Sequence, residues 1–178
     1  MVERPRSASV LAATVIALTV LPSGLGCDRV GELLGIIEQP HPADHEMIAN
    51  FQGHRAEFDH VRDMILHDAG LLRVDDHETW PKNPQVVGVT PERIAEYRLL
   101  LKRLGLRGGI SSSEDGTTIE LTNSTRGFVT HGSEKGYVYS RNPDPRFVVP
   151  ELDSLSKRGA GNGWKHIEDN WYLYFEGS

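Results

Sequence analysis

The chain has 178 residues, a formal net charge of −6 at pH 7 and a single cysteine. An acidic balance with no basic stripe repels phosphate backbones, which argues against a nucleic-acid partner. One cysteine excludes an intrachain disulfide, so the fold must rest on its apolar core.

The first 27 residues have the organisation of an export signal. Arg4 and Arg6 give a positive start, and the segment from Val10 to Leu21 is apolar or threonine throughout. This run is shorter than the ~20 residues that a membrane-spanning helix needs. Small residues and then Cys27 follow it, as they do at a cleavage site. We therefore expect residues 1–26 to be removed and the protein to be exported.

Cys27, directly after Gly26, resembles the lipid-attachment cysteine of bacterial lipoproteins. The resemblance covers residues 1–27 only, and in that family the cysteine receives diacylglycerol. It implies a protein of the cell envelope, anchored by lipid at the periplasmic face of a membrane, because two or more acyl chains hold a protein there stably. Gly24 and Gly26 also suit an ordinary signal peptidase, so a plain secreted protein is the alternative.

After the signal, residues 27–43 are predicted to be a tether and residues 44–178 a single domain. Pro40 and Pro42 favour extended backbone at the end of the tether. The remaining length suits one domain, and the sequence contains no internal repeat.

Two helices are predicted next. The first runs over 44–68 with Asp44 as its cap, because apolar residues recur there at helical spacing. The second is framed by Thr90 as cap, Pro91 in the first turn and Gly105 at the end. The segment from Asp75 to Thr90 between them is a long connection, and such loops are either functional or simply loops.

From Leu106 onward the apolar period changes from helical to alternating. Three hairpins are predicted, pairing residues 106–112 with 117–122, 127–130 with 136–140, and 163–168 with 171–176, with an edge piece at 147–149. Helices followed by consecutive hairpins indicate an α+β fold, in which two N-terminal helices pack on a mostly antiparallel β-meander sheet.

Aromatic residues supply the candidate binding surface. In the last strand Trp171, Leu173 and Phe175 alternate with Tyr172 and Tyr174, and the first set is the better core candidate. The outward residues could form a contact patch for an envelope protein or a glycan, since aromatic side chains anchor interfaces. The alternative is ordinary packing. The candidate binding residues are Trp80, Trp164, His166, Tyr172 and Tyr174.

Two sets of residues were weighed for chemistry. His41 and His45 have a spacing that two metal ligands on a helix would have, but Pro42 favours placing His41 outside the helix. Serines 111–113 with His131 and Asp144 could supply a nucleophile and its partners, although no nucleophile-elbow motif is present. We predict no metal site, no cofactor and no assigned catalytic residue.

These observations favour a cell-envelope lipoprotein that acts by binding rather than by catalysis. The alternative is a small envelope hydrolase that uses histidine and a carboxylate, and a metal carrier is a third possibility. A hydrolase requires a histidine and a carboxylate that converge in a concave site.

Overall fold

The computed structural model describes residues 39–128 and 131–178, without the side chains of Phe128 and His131. The predicted signal, Cys27 and the first part of the tether lie outside the described residues. No helix in the described part of the chain is both long and apolar enough to cross a membrane.

The elements alternate between a helical layer and one sheet. The helices are α1 (Asp44–Gly53), α2 (Arg55–His67), α3 (Pro91–Leu104) and α4 (Asp153–Arg158), with a short 3-10 helix at Pro84–Val87. The strands are β1 (Arg73–Val74), β2 (Thr79–Trp80), β3 (Gly109–Ser112), β4 (Thr118–Phe128), β5 (His131–Ser140), β6 (Gly161–Glu168) and β7 (Trp171–Gly177). The predicted α+β class is confirmed.

The first predicted helix is in fact two helices, which meet at His54. The backbone of His54 leaves the helical region with φ −128° and ψ 22°. Its N–H closes α1 on Asn50, and its carbonyl accepts from Glu57 N–H at 2.9 Å to open α2. Gly53 disfavours helix by about 1 kcal/mol relative to alanine, so the chain breaks where its helical preference is weakest.

Helix α3 begins and ends as the sequence predicts. The Thr90 hydroxyl accepts from Arg93 N–H at 3.2 Å, and Pro91 fills the first turn. Gly105 ends the helix in the left-handed region with φ 72°, a conformation that costs glycine nothing. Each of these signals acts within one turn of its own end of the helix, which is why the sequence alone located both ends.

The sheet has seven strands in the order β2-β1-β3-β4-β5-β7-β6, and all neighbours are antiparallel. It departs from a simple meander because β7, not β6, lies beside β5. The connection from β5 to β6 carries α4 and crosses to the outer edge before the chain turns back. At that edge Val148 forms a parallel bridge with Trp164, in the predicted edge piece.

The second predicted hairpin was placed wrongly. Strands β4 and β5 pair over ten residue pairs, from Thr118 with Ser140 to Phe128 with His131. The segment 131–135, predicted as a turn, therefore lies inside β5. A bulge between Thr122 and Ser124 lets β4 continue past the point where its apolar alternation stops.

The core lies between the helices and one face of the sheet. Trp171, Leu173 and Phe175 are fully buried there, as predicted. Ring contacts join the two layers, with Phe58 4.6 Å from Tyr137 and 5.9 Å from Trp171, centroid to centroid. Aromatic pairs at these distances contribute beyond their buried area, so this cluster fixes the helices on the sheet.

A buried ionic network joins α1, α4 and the sheet. Asp44 was predicted to cap α1, but its carboxylate instead faces Lys135 Nζ at 2.8 Å and Lys165 Nζ at 3.1 Å. The cap function falls to Glu46, which accepts from Ala43 N–H at 2.9 Å. Lys135 is 0% exposed and also reaches Asp153 at 3.0 Å. Buried charges persist only when paired in this way.

The folded domain starts earlier than its predicted boundary at residue 44. The carbonyl of Pro42 accepts from Lys135 Nζ at 2.8 Å. His41 is 7% exposed, and its ring meets Phe175 edge-on with centroids 5.6 Å apart. The end of the predicted tether therefore packs on the sheet, because its groups satisfy side chains buried there.

Candidate functional site

Strand pairing aligns one residue from each of the seven strands in a single row. Residues paired across antiparallel strands share a face of the sheet. The row consists of Trp80, Arg73, Ser111, Glu120, Val138, Tyr172 and His166. On the central strands, the residues directly before and after the row point to the other face of the sheet, where they are part of the apolar core. The row therefore lies on the face opposite the helices.

Two further rows extend this face. One contains Thr122, Gly136, Tyr174 and Trp164, and the other contains Thr125, Glu134, Glu176 and Asn162. All five predicted binding residues thus lie on the same face of one sheet. We call the surface formed by Glu120, Glu134, Glu176, Trp164, His166, Tyr172 and Tyr174 the acidic face.

Tyrosine rings form the floor of the acidic face. Tyr172 is 8% and Tyr174 is 1% exposed, and both pack with Val138 in a small cluster. Trp164 is half-buried and packs against that cluster, with its ring 5.9 Å from Tyr172. Among the described residues no helical side chain belongs to this cluster. Both tyrosines are therefore more deeply buried than Trp164.

Gly136 makes room for Tyr174. A β-carbon at Gly136 would lie 2.6 Å from Tyr174 Cε1 and 2.3 Å from the carbonyl oxygen of Leu121. The phenol crosses from β7 over β5 to reach Thr122 on β4, where the two hydroxyl oxygens are 2.7 Å apart. The same hydroxyl lies 3.4 Å from Glu134 Oε1. Tyr174 therefore ties three strands together beneath the carboxylates.

Three glutamates share this face, and the pKa values of two of them, Glu120 and Glu134, are raised. Burial raises the pKa of Glu120, and the charges of Glu176 and Glu134 raise it further. Burial and the charge of Glu176 likewise raise the pKa of Glu134, against smaller opposing effects of Tyr174 and Arg73. Glu134 and Glu176 are direct cross-strand partners, an arrangement in which like charges repel.

This arrangement suits a cation. A positive group placed between the glutamates would relieve their repulsion and favour their charged forms. Trp164 on the same face is half-buried, and aromatic rings attract ammonium or guanidinium groups. A cavity of about 610 Å³ lies at the end of the face, where Glu134, Glu176 and Asn162 meet the β4–β5 hairpin.

Trp80 and His166 lie further from the glutamates along the same face of the sheet. Trp80 stands at the far edge of the sheet and is 57% exposed. His166 is exposed, and its Nε2 lies 3.0 Å from the carbonyl oxygen of Asp169. In the connection from Asp75 to Thr90, a second cavity of about 560 Å³ is lined by His77, Glu78 and Lys82 among others.

The described side chains among the residues considered for chemistry are not brought together as those hypotheses required, and the side chain of His131 lies outside the description. Ser113 bonds to Asp115 in its own turn, and Asp144 pairs with Arg146. His45 is exposed, whereas His41 is buried against the sheet. Within the described residues no three histidine, cysteine or acidic side chains are grouped to hold a metal ion.

Histidine–carboxylate pairs occur, but on the helical layer. His54 Nδ1 lies 2.6 Å from Glu57, and His60 Nε2 lies 3.6 Å from Glu96. Both histidines keep two fifths or more of their side chains exposed. Neither lines the two cavities described above.

Sequence reasoning missed Glu120 and Glu134 of the acidic face, whereas the alternation of the last strand puts Glu176 on the same side as Tyr172 and Tyr174. Glu120 could have been found from the alternation Thr118 to Thr122, in which it is the polar member between Ile119 and Leu121. Its proximity to Glu134 and Glu176 could not, because that depends on the register of three strands.

No protein-family model matches the chain, and no curated protein or solved structure is significantly similar to it. The geometry and chemistry of the residues of this chain are therefore the only indications of its function.

Proposed function

We propose that this chain is an exported, lipid-anchored binding protein of the cell envelope, whose acidic face engages a partner with cationic groups. The observation that carries the binding role is the convergence of Glu120, Glu134 and Glu176 beside Trp164. Glu120 and Glu134 are half-buried, and burial together with the charge of the exposed Glu176 raises the pKa of both. Carboxylates perturbed in this way are enriched where function requires them.

The charge of the face selects among partner classes. Three carboxylates favour a protein surface that carries lysine or arginine over a neutral glycan. Folding has already removed part of the water around the carboxylates, so forming a charged pair with them costs less desolvation. They disfavour nucleic acid, which is itself anionic. Trp164 supplies an apolar and aromatic contact at the rim of the same surface.

The location is supported by the sequence alone. The positive start at Arg4 and Arg6, the apolar run and the small residues before Cys27 together have the order of a lipoprotein signal. The first buried residue that the structure describes after this segment is His41, which packs on the sheet. About a dozen residues then separate an anchor at Cys27 from the folded domain.

Binding is favoured over the alternative, a hydrolase built from histidine and a carboxylate. That reaction needs the two groups in one concave site. In the described residues the close histidine–carboxylate pairs are on exposed helix surfaces, as given above. The acidic face contains carboxylates, and its one histidine is engaged with the backbone of its own hairpin.

Partner capture from the envelope tests the binding role. The full chain is compared with two triple variants, one replacing Glu120, Glu134 and Glu176 by glutamine, the other replacing Glu92 and Glu114 by glutamine and Asp63 by asparagine. Both remove three negative charges. We expect a cross-linked partner with the wild type and the control but not with the face variant. Recovery of the same partner with both variants would contradict the proposal.

Mass spectrometry of the mature N-terminus tests the anchor. A diacylglyceryl group on Cys27 as the first residue is the expected result. An unmodified thiol at Cys27, or a chain that retains residues 1–26, would end the lipoprotein proposal without affecting the binding role of the acidic face.

A further inference from the structure

His41 lies between two serine hydroxyls on the core side of the sheet. Its Nε2 is 2.8 Å from Ser133 Oγ, and its Nδ1 is 2.7 Å from Ser124 Oγ. The three residues come from the chain before α1, from β5 and from β4. Ser133 lies 92 residues from His41 in sequence, so only the fold brings them together.

The distances are those between a serine nucleophile and its base. A neutral imidazole has one nitrogen that accepts and one that donates. With the proton on Nδ1, that nitrogen donates to Ser124 Oγ, and Nε2 accepts from the Ser133 hydroxyl. This is the polarity in which a histidine activates serine, with its second nitrogen held by a third group.

Ser133 also lines a cavity of about 320 Å³ with a basic wall. Arg126, Lys157 and Arg158 contribute to its lining, from β4 and from the end of α4. Arg126 is the cross-strand partner of Ser133, so both point to the same face. Three cationic side chains beside one serine, in a chain of net charge −6, favour a ligand with an anionic group.

We propose that Ser133 and His41 form a nucleophile–base pair that hydrolyses carboxylic esters whose acyl part carries an anionic group. The bond between Ser133 Oγ and the acyl carbon forms while the hydroxyl proton moves to His41 Nε2. The bond to the alcohol oxygen breaks, and that oxygen takes the proton from His41. Water then attacks the acyl carbon and gives a proton to His41. Release of the acid returns that proton to Ser133 Oγ.

The basic wall sets the specificity. The anionic end of the acyl group would lie against Lys157 and Arg158, which leaves the ester carbon near Ser133 Oγ. Both cations are exposed at the end of α4, so their removal should change substrate preference rather than the fold. Ser133 points to the side of the sheet opposite the glutamates, although Ser133 and Arg126 also line the cavity at the end of the acidic face.

A fluorophosphonate probe tests the pair directly. Attack by Ser133 Oγ on phosphorus expels fluoride and leaves a stable adduct whose position mass spectrometry identifies. We expect the adduct on Ser133 of the full wild-type chain. No adduct, or an adduct on other serines only, would overturn the proposal whatever any variant does.

Matched variants then test the base. His41→Gln should slow labelling of Ser133 by at least about 100-fold, the usual contribution of a general base. His45→Gln, an exposed histidine four residues away, should label like the wild type. Equal rates in the two variants would exclude His41 as the base. If His41→Gln is unfolded in a thermal melt, the position of the wild-type adduct decides alone.

Ester turnover tests the substrate class. The p-nitrophenyl ester of succinic acid, which keeps one free carboxylate, should be hydrolysed at least about 10-fold faster than p-nitrophenyl acetate. The variant with Lys157→Ala and Arg158→Ala should lose that preference, and a control with Lys82→Ala and Lys102→Ala should keep it. A preference that survives in the first variant would contradict the role of the basic wall.

Discussion

At the scale of single residues, Asp44 joins several elements through its buried polar contacts. Its carboxylate meets Lys135 and Lys165 and accepts from Leu152 N–H at 2.9 Å. The residue is 3% exposed. Such a pair is weak evidence of net stability, but removing one partner leaves the other charge buried and unpaired.

We therefore expect Asp44→Ala to lower the free energy of unfolding by about 3–5 kcal/mol, which urea titration would measure. Asp63→Ala is the matched control, because Asp63 pairs with Arg62 on the exposed surface of α2. That change should stay within about 0.5 kcal/mol. Equal losses in the two variants would show that the network does not hold the domain together.

Asp44 also predicts how stability depends on acid. Burial alone would raise its pKa, but the hydrogen bonds from Lys135, Leu152 and Lys165 and the charge of Lys135 lower it to about 2 from an ordinary value of 3.8. A lowered carboxyl pKa stabilises the fold above 3.8 and loses that contribution as the pH falls towards 2. We expect about 2 kcal/mol to be lost across this window in wild type and not in Asp44→Asn, measured by urea titration at each pH.

Glu120 has the opposite sign. Burial and the neighbouring Glu176 and Glu134 charges raise its pKa, so the folded state binds more protons than the unfolded state. Stability must then fall as the pH rises through the folded pKa. We expect Glu120→Gln to be more stable than wild type at pH 7 and to lose that advantage below the ordinary pKa of 4.5. A variant less stable than wild type at pH 7 would disprove the repulsion.

At the scale of elements, strand β5 depends on a glycine for reasons of space. Alanine at Gly136 would press on the Leu121 carbonyl and on the ring of Tyr174. We expect Gly136→Ala to cost about 1–3 kcal/mol, the usual range for overpacking. Gly53→Ala is the control, since nothing lies within 4 Å of its β-carbon and alanine favours the helix there. Thermal melts should show Tm falling in the first variant and not in the second.

The elements also differ in how far their local sequence defines them. Helix α3 carries its own start and stop at Thr90, Pro91 and Gly105, and its bounds were predicted closely. The β4–β5 hairpin was not, because Lys135 and Glu134 look like turn residues. Lys135 is polar in sequence yet buried, because Asp44 and Asp153 meet it from α1 and α4. No local pattern encodes those partners.

At the scale of the whole molecule, the start of the domain is testable. A chain that begins at Asp44 lacks the Pro42 carbonyl that accepts from Lys135 and the His41 ring between two serines. Each lost buried hydrogen bond costs about 1–3 kcal/mol. We expect that chain to be less stable by about 3 kcal/mol or more than one beginning at Asp28, by urea titration. Equal stabilities of the two chains would show that residues 39–43 are part of the tether and do not stabilise the folded domain.

The sequence by itself determined what depends on neighbours a few residues apart. That includes the bounds of α3 and the alternation that buries Trp171, Leu173 and Phe175, whereas the export signal ending at Cys27 stays a prediction. Helix caps and strand alternation depend on residues close together in the chain, so they can be predicted from the sequence without knowing the fold.

Only the tertiary structure decided which distant residues meet. It aligned the predicted aromatic residues on one face of the sheet and put Glu120, Glu134 and Glu176 on that same face. It also brought His41 into contact with Ser133. These encounters depend on strand register, and a shift of one residue would turn every side chain to the other face. Register here is held by the core, by the bulge in β4 and by buried Lys135. None of these is visible in any short stretch of sequence.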